Sequence, residues 1–190
     1  ILSGCTSYRY QGISDAEFLD SVAANRSISL KVSSPQALGL LNVRELERTL
    51  ESALLDAGFN DVQQGIQMQG PSVDVSFNHD RDINFGTFFL YMISLTAIPA
   101  SGDNVLSFEV SYYNDGKIVR TATYDGNYVD YVSVYFPTAL FMGESSNDLI
   151  RMITADLAEN IASDFPVAEY NSIATEETEG AARGDDEGFY

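Results

Sequence analysis

Hydrophobic positions recur along this chain with two periods. Between residues 43 and 57 they step by three and four. Val43, Leu46, Leu50, Leu54 and Ala57 fall on one face, with Arg44, Glu47, Arg48 and Glu51 on the other, the pattern of an amphipathic helix. Asn42 with Glu45 three residues on is a start signal, and Gly58 is a left-handed stop. A second stripe, Ile150, Ile153, Leu157 and Ile161, is headed by Ser145, Ser146 or Asn147 and ends before Pro166, predicting a closing helix. A shorter one opens on the capping box Ser14-Asp15-Ala16-Glu17 and carries Phe18, Leu19 and Val22.

The other period is two. Ile28, Leu30 and Val32 alternate until Ser33-Ser34-Pro35, and Val73, Val75 and Phe77 alternate further on. Leu106, Phe108, Val110 and Tyr112 alternate with Ser107, Glu109 and Ser111 up to Asn114-Asp115-Gly116-Lys117. Asp-Gly there predicts a hairpin, because it tolerates the positive φ values of a two-residue turn. The chain returns over 118–124, and Asp125-Gly126-Asn127 predicts another turn. A last strand over 128–136 has Val132, Val134 and Phe136 on one face and Val129, Tyr131 and Tyr135 on the other. One stretch, Phe88 to Ile98 before Pro99, is apolar with neither period, so any strand it formed would be apolar on both faces.

Two amphipathic helices with one stripe each need one face of a sheet. The expected fold is therefore α+β: a two-layer sandwich, mostly antiparallel, with two main helices packed on one face. Thr6 to Gly12 reads as a tether. The expected organisation is residues 1–4 as a signal-peptide remnant, 5–26 as N-terminus, tether and short helix, 27–168 as the globular domain and 169–190 as a disordered acidic tail. In that tail Glu176, Glu177, Glu179, Asp185, Asp186 and Glu187 face only Arg183. No fixed-period repeat is visible.

Charge narrows the function. Of 190 residues, 10 are Lys or Arg and 28 are Asp or Glu, for a net charge of −18. Phosphate-driven nucleic-acid binding requires a cationic face that this chain lacks. Electrostatic docking on anionic lipid is disfavoured for the same reason. Apolar residues at 45% supply a core without disulfides or metals.

Cys5 is the only cysteine and follows Leu2-Ser3-Gly4. This run resembles the lipobox of bacterial lipoproteins: aliphatic, small, small, Cys. The resemblance implies cleavage before Cys5, a diacylglycerol thioether on its sulfur and a fatty acyl group on its amine. In that family Asp after the Cys tends to retain the protein at the inner membrane. Thr6 stands there in this chain and implies the outer membrane, on the periplasmic side. Over residues 27–165 the order of elements resembles small lipoproteins of Gram-negative envelopes, among them the lipopolysaccharide-assembly lipoprotein and the N-terminal domain of TolB-like periplasmic proteins. The features that carry it are a strand, a helix ending at 53–59, alternating strands, the 94–100 turn, the 114–117 hairpin and a closing helix. Members of such groups mostly lack a catalytic site and bind a partner or stabilise an assembly.

Catalytic chemistry has one candidate, His79 in Asn78-His79-Asp80-Arg81-Asp82. A His beside two carboxylates suits a general base or a metal site, and a polar loop after a strand is the plain alternative. No nucleophile elbow, phosphate-cradling glycine loop or zinc motif occurs. Arg183-Gly184-Asp185 matches an integrin-type tripeptide, a match too short to carry weight. No catalytic residue, cofactor or metal is expected. The stronger candidates are apolar: Phe88, Phe89, Tyr91 and Met92, then Tyr131, Tyr135, Phe136 and Phe141. They are either core or a surface for a partner, a lipid or a second copy. Tyr128, Tyr131 and Tyr135 suit a half-wet surface. The expected protein is a lipid-anchored envelope assembly or interaction factor. It would hold the membrane through acyl chains on Cys5 and bind an envelope protein or itself. A lipid-binding or transfer module with an apolar pocket is the alternative, and a hydrolase a weaker one.

Overall fold

The computed structural model describes residues 5–13, 27–34, 43–65, 70–94, 98–133 and 145–165. The helix expected over 14–22, the Asn42 cap and the acidic tail lie outside the described residues. The elements in chain order are β1 (Cys5–Ile13), β2 (Ser27–Ser33), α1 (Val43–Asp56), β3 (Asp61–Gln64), β4 (Pro71–Ile83), α2 (Phe85–Ile93), β5 (Ala100–Asn114), β6 (Lys117–Ser133) and α3 (Ser146–Ser163). The strands form one sheet in the order β1-β6-β5-β4-β2-β3. β2 runs parallel to both β3 and β4, and the other pairings are antiparallel. A parallel neighbour cannot be reached by a hairpin, and α1 supplies the crossover from β2 to β3.

The period-two residues share one face. Leu30 lies beside Val73, Val73 beside Tyr112, Phe77 beside Phe108, and Phe108 beside Tyr124. All are buried. Against this face α1 sets Leu46, Leu50 and Leu54, and α3 sets Ile150, Ile153, Leu157 and Ile161. The opposite face carries Ser76, Ser107, Glu109, Ser111, Thr121 and Thr123, half-buried or exposed. The two-layer α+β sandwich expected from the helix stripes is thus the observed one.

Local chemistry sets the element ends. Gly58 takes φ 110°, its N–H donates to the Leu55 carbonyl, and the Phe59 N–H reaches back to Leu54, both at 3.2 Å, a Schellman closure. Asp115 and Gly116 take φ 49° and 75° between the paired residues Asn114 and Lys117, the two-residue turn the sequence predicts. Ser145 caps α3 by accepting from the Asp148 N–H. At the other end of α3, the Tyr124 hydroxyl donates to Asp164 at 2.6 Å and Arg120 pairs with the same carboxylate at 3.2 Å.

Four expectations fail. The segment read as a tether is β1, an edge strand paired with β6 from Cys5↔Ser133 to Ile13↔Gly126. Its Tyr8 is buried, and its Tyr10 hydroxyl donates to Asp156 of α3 at 2.7 Å. Asp125-Gly126-Asn127 is not a turn but the middle of β6. At Gly126 a Cβ would lie 3.0 Å from the Ile13 side chain on β1, a tight contact that glycine avoids. The 78–82 segment read as a loop continues β4 to Ile83. The apolar run from Phe88 is not a strand. It begins as α2.

Candidate functional site

The inward face of the sheet changes character along its length. Beyond Phe77 and Phe108 the same rows continue as His79 and Arg81 on β4, Asn104 and Gly102 on β5, and Tyr128 and Asp130 on β6. These residues form one hydrogen-bonded chain. Asp130 pairs with Arg81 at 2.5 Å and accepts from the Asn104 amide nitrogen at 3.1 Å. That nitrogen also donates to the Gly102 carbonyl at 3.2 Å. With its nitrogen so committed, Asn104 presents its oxygen to His79 Nε2 at 2.9 Å. An acceptor there requires the proton on Nε2. The Tyr128 hydroxyl, 3.0 Å from the same nitrogen, is then a second acceptor, and its ring stacks on the imidazole with centroids 5.9 Å apart.

Asp130 is 1% exposed. A buried carboxylate is tolerable when paired and hydrogen-bonded, and Arg81 and Asn104 do both. Its charge is felt next door. Burial first and Asp130 second hold the Tyr8 and Tyr128 hydroxyls above the ordinary tyrosine range, with Arg81 opposing. Gly102 leaves room for this carboxylate, since a Cβ there would stand 2.5 Å from Asp130 Oδ1.

His79 thus bonds through Nε2 to Asn104 and Tyr128 and not to a carboxylate. Strand alternation turns it away from its sequence neighbours Asp80 and Asp82, which are exposed. Its Nε2 partners are an amide and a phenol.

The same end of the sheet bears α2, between β4 and β5. Asn84 caps it, its side chain accepting from the Thr87 N–H at 3.2 Å. The Thr87 hydroxyl meets Ser101 on β5 through its hydroxyl at 3.0 Å, its N–H at 3.1 Å and its carbonyl at 3.3 Å. Ser94 closes the helix with its N–H on the Leu90 carbonyl and its hydroxyl on the Tyr91 carbonyl. Thr87, Tyr91 and Ser94 are half-buried. Every other side chain points outward: Phe85 is 80% exposed, Phe89 64%, Ile93 60% and Met92 56%, with Phe88 and Leu90 also exposed. The helix meets the body with its polar side and shows its apolar side to the surroundings.

Of the residues singled out from the sequence, Phe88, Phe89, Tyr91 and Met92 share α2. Tyr131 stands beside Ser101, at the root of that helix, and is half-buried. Tyr128, expected on a half-wet surface, is buried against Tyr8 and His79, because β6 keeps its phase through Gly126. Tyr135, Phe136 and Phe141 lie outside the described residues. Cys5 opens β1 opposite Ser133. Phe85 was missed, although it precedes the same apolar run by only three residues. Arg81, Asn104 and Asp130 were also missed. The unbroken alternation Tyr124, Gly126, Tyr128, Asp130 was the available signal for the last of these.

A scan against protein-family models finds no match, and a search of curated proteins finds none. Among solved structures the chain is similar to the PelC dodecamer from Paraburkholderia phytofirmans, with 8% identity over 81% of this chain and 98% of that one, at a TM-score of 0.36. It is similar to a minor lipoprotein from Acinetobacter baumannii, with 15% identity over 80% and 94% of the two chains and a TM-score of 0.39. A third is the rare lipoprotein B from Shewanella oneidensis, with 14% identity over 80% and 98% and a TM-score of 0.34.

Proposed function

We propose that this chain is a lipid-anchored envelope protein of the outer membrane, facing the periplasm and acting as a non-catalytic interaction factor. Acyl chains on Cys5 would supply the anchor, as the Leu2-Ser3-Gly4-Cys5 run implies. The observation that carries the reading is α2, whose exposed Phe85, Phe88, Phe89, Leu90, Met92 and Ile93 form a contiguous apolar surface. Soluble proteins seldom expose such patches without using them for contact. Phe89 at 64% exposure does not line an enclosed pocket, which counts against a transfer module. The bonding of His79 Nε2 to Asn104 and Tyr128, with both adjacent aspartates facing away, counts against a hydrolase.

The test has two arms in a Gram-negative host. Intact-mass analysis should find the chain beginning at Cys5 and heavier by its acyl groups, and Cys5→Ser should move it from the membrane fraction to the soluble periplasm. Phe89→Asp, with Cys5 intact, should leave anchoring unchanged and raise sensitivity of the envelope to detergent. An unmodified Cys5 overturns the anchor, and a silent Phe89→Asp overturns α2 as the working surface.

A further inference from the structure

We infer that α2 is a membrane-seated helix: its occupant is the lipid bilayer itself, into whose interfacial layer the helix inserts from the anchored end of the domain. The inference rests on the reading of α2 as a contact surface; its argument from position also uses the anchor at Cys5, and its arguments from charge and shape do not.

Position comes first. Thr6 pairs with Val132, and Val132 with Ala100. The start of β1 and the root of α2 are thus two strand spacings apart, about 10 Å, at one end of the sheet. β6 also ends there, at Ser133, and the sequence that follows, 134–143, carries no charged residue. Charge is the second argument. Residues 83–102 contain no Asp, Glu, Lys, Arg or His in a chain of net charge −18, and Asp82 and Asp103 bound the stretch on both sides. An uncharged tip on an acidic body matches hydrocarbon and not an ionic partner.

Shape is the third. A helix docked in a protein groove presents one apolar stripe and keeps a polar side wet. In α2 Thr87 is bonded to Ser101 of β5, Tyr91 and Ser94 on the same side are half-buried, and apolar side chains fill the rest of the circumference. A surrounding medium, and not a flat partner, satisfies such a helix. Its caps also suit lipid, where unsatisfied backbone groups are costly: Asn84 takes the Thr87 N–H, and Ser94 takes the Tyr91 carbonyl and the Ile98 N–H. With nine residues α2 cannot span, and no helix among the described residues is long and apolar enough to cross a membrane. It can lie about 5–10 Å deep at the headgroup–acyl boundary.

Flotation of the full chain carrying Cys5→Ser, which removes any anchor, tests this directly. The probes are vesicles of pure phosphatidylcholine and of phosphatidylcholine with a minority of phosphatidylglycerol. The chain should float with phosphatidylcholine vesicles independently of salt, because no charge contributes. Phosphatidylglycerol should weaken flotation at low salt and lose that effect at high salt, as screening removes repulsion of the acidic body. Adding Phe89→Asp and Ile93→Asp should cut flotation by about ten-fold or more at an unchanged melting temperature. Three results overturn the inference. One is absence of flotation by Cys5→Ser. Another is a concentration-dependent dimer that the aspartates dissociate without altering flotation, which would make a second copy the occupant. The third is a fall in melting temperature on adding the aspartates without a loss of flotation, which would mean that 134–144 of this chain covers the helix. Flotation of Cys5→Ser together with an unacylated Cys5 in the host would leave the seated helix standing and remove only the anchor.

Discussion

α2 and α3 invert each other. α3 buries half of its eighteen residues, and α2, with seven apolar or aromatic residues in nine, buries none. The difference lies in arrangement and not in amount. In α3 the apolar residues recur every three or four positions, so one stripe enters the core and Arg151, Ala155 and Glu159 remain wet. In α2 they follow one another, so no orientation could bury them all against a single surface. The domain binds the one polar strip available, through Thr87 and Ser101, and the remainder is left outside. Hydrophobic content alone does not make core; periodicity does.

The largest expected effect breaks the α3 side of this comparison. Leu157 and Leu50 are fully buried, and aspartate at either site places an unpaired charge in the core. Leu157→Asp and Leu50→Asp should cost more than about 4 kcal/mol and abolish the cooperative melt followed by circular dichroism. The matching change on α2, Phe89→Asp, should alter stability by no more than about 0.5 kcal/mol.

Alkaline pH should act next, and again only on the packed region. Tyr8, Tyr10, Tyr112, Tyr124 and Tyr128 all have hydroxyls held above the ordinary value of 10.0, with burial the leading cause in each. A tyrosine raised in the folded state keeps its proton when the unfolded chain has lost it. The unfolded state thus binds fewer protons above pH 10, and stability falls as pH rises. Below pH 10 this contribution is fully present. Each such tyrosine should add to the loss of stability above pH 10. Absorbance titration should find these five of the eleven tyrosines ionising only as the fold melts.

Much of this was legible beforehand, and the failures share a cause. The stripes at 46–54 and 150–161, the 114–117 turn and the alternation of β2, β4 and β5 are local signals, and each appears where the residues put it. The errors fall where pairing across the sheet overrides local chemistry. Asp125-Gly126-Asn127 has the composition of a turn, but β1 and β5 flank it on both sides and hold it extended. Thr6 to Gly12 has few apolar residues because an edge strand buries little, and its Tyr8 and Tyr10 gain their partners only from β6 and α3. Phe88, Phe89, Tyr91 and Met92 could be named as candidates, but their exposure could not be read, because it depends on which side of α2 faces Ser101. The cluster of Arg81, Asn104 and Asp130 spans three strands, and no spacing in the sequence announces it.

That cluster supplies the smallest and sharpest test, at the boundary between packed sheet and exposed helix. A methyl group at 102 would stand 2.5 Å from Asp130 Oδ1, 3.3 Å from the Asp82 carbonyl and 3.4 Å from Arg81 Nε. The carboxylate cannot retreat without loosening its bonds to Arg81 and Asn104. Gly102→Ala should therefore cost about 1–3 kcal/mol in urea unfolding. Asp130→Ala removes the obstruction at the cost of the ion pair. In the double variant the alanine at 102 should cost less than it does alone, because the two changes share one contact. Strict additivity would mean that the Asp82 carbonyl, and not the buried acid, sets the limit at 102. Because α2 is rooted on Ser101, one residue away, the same substitution should also speed amide exchange in α2 while leaving α3 protected.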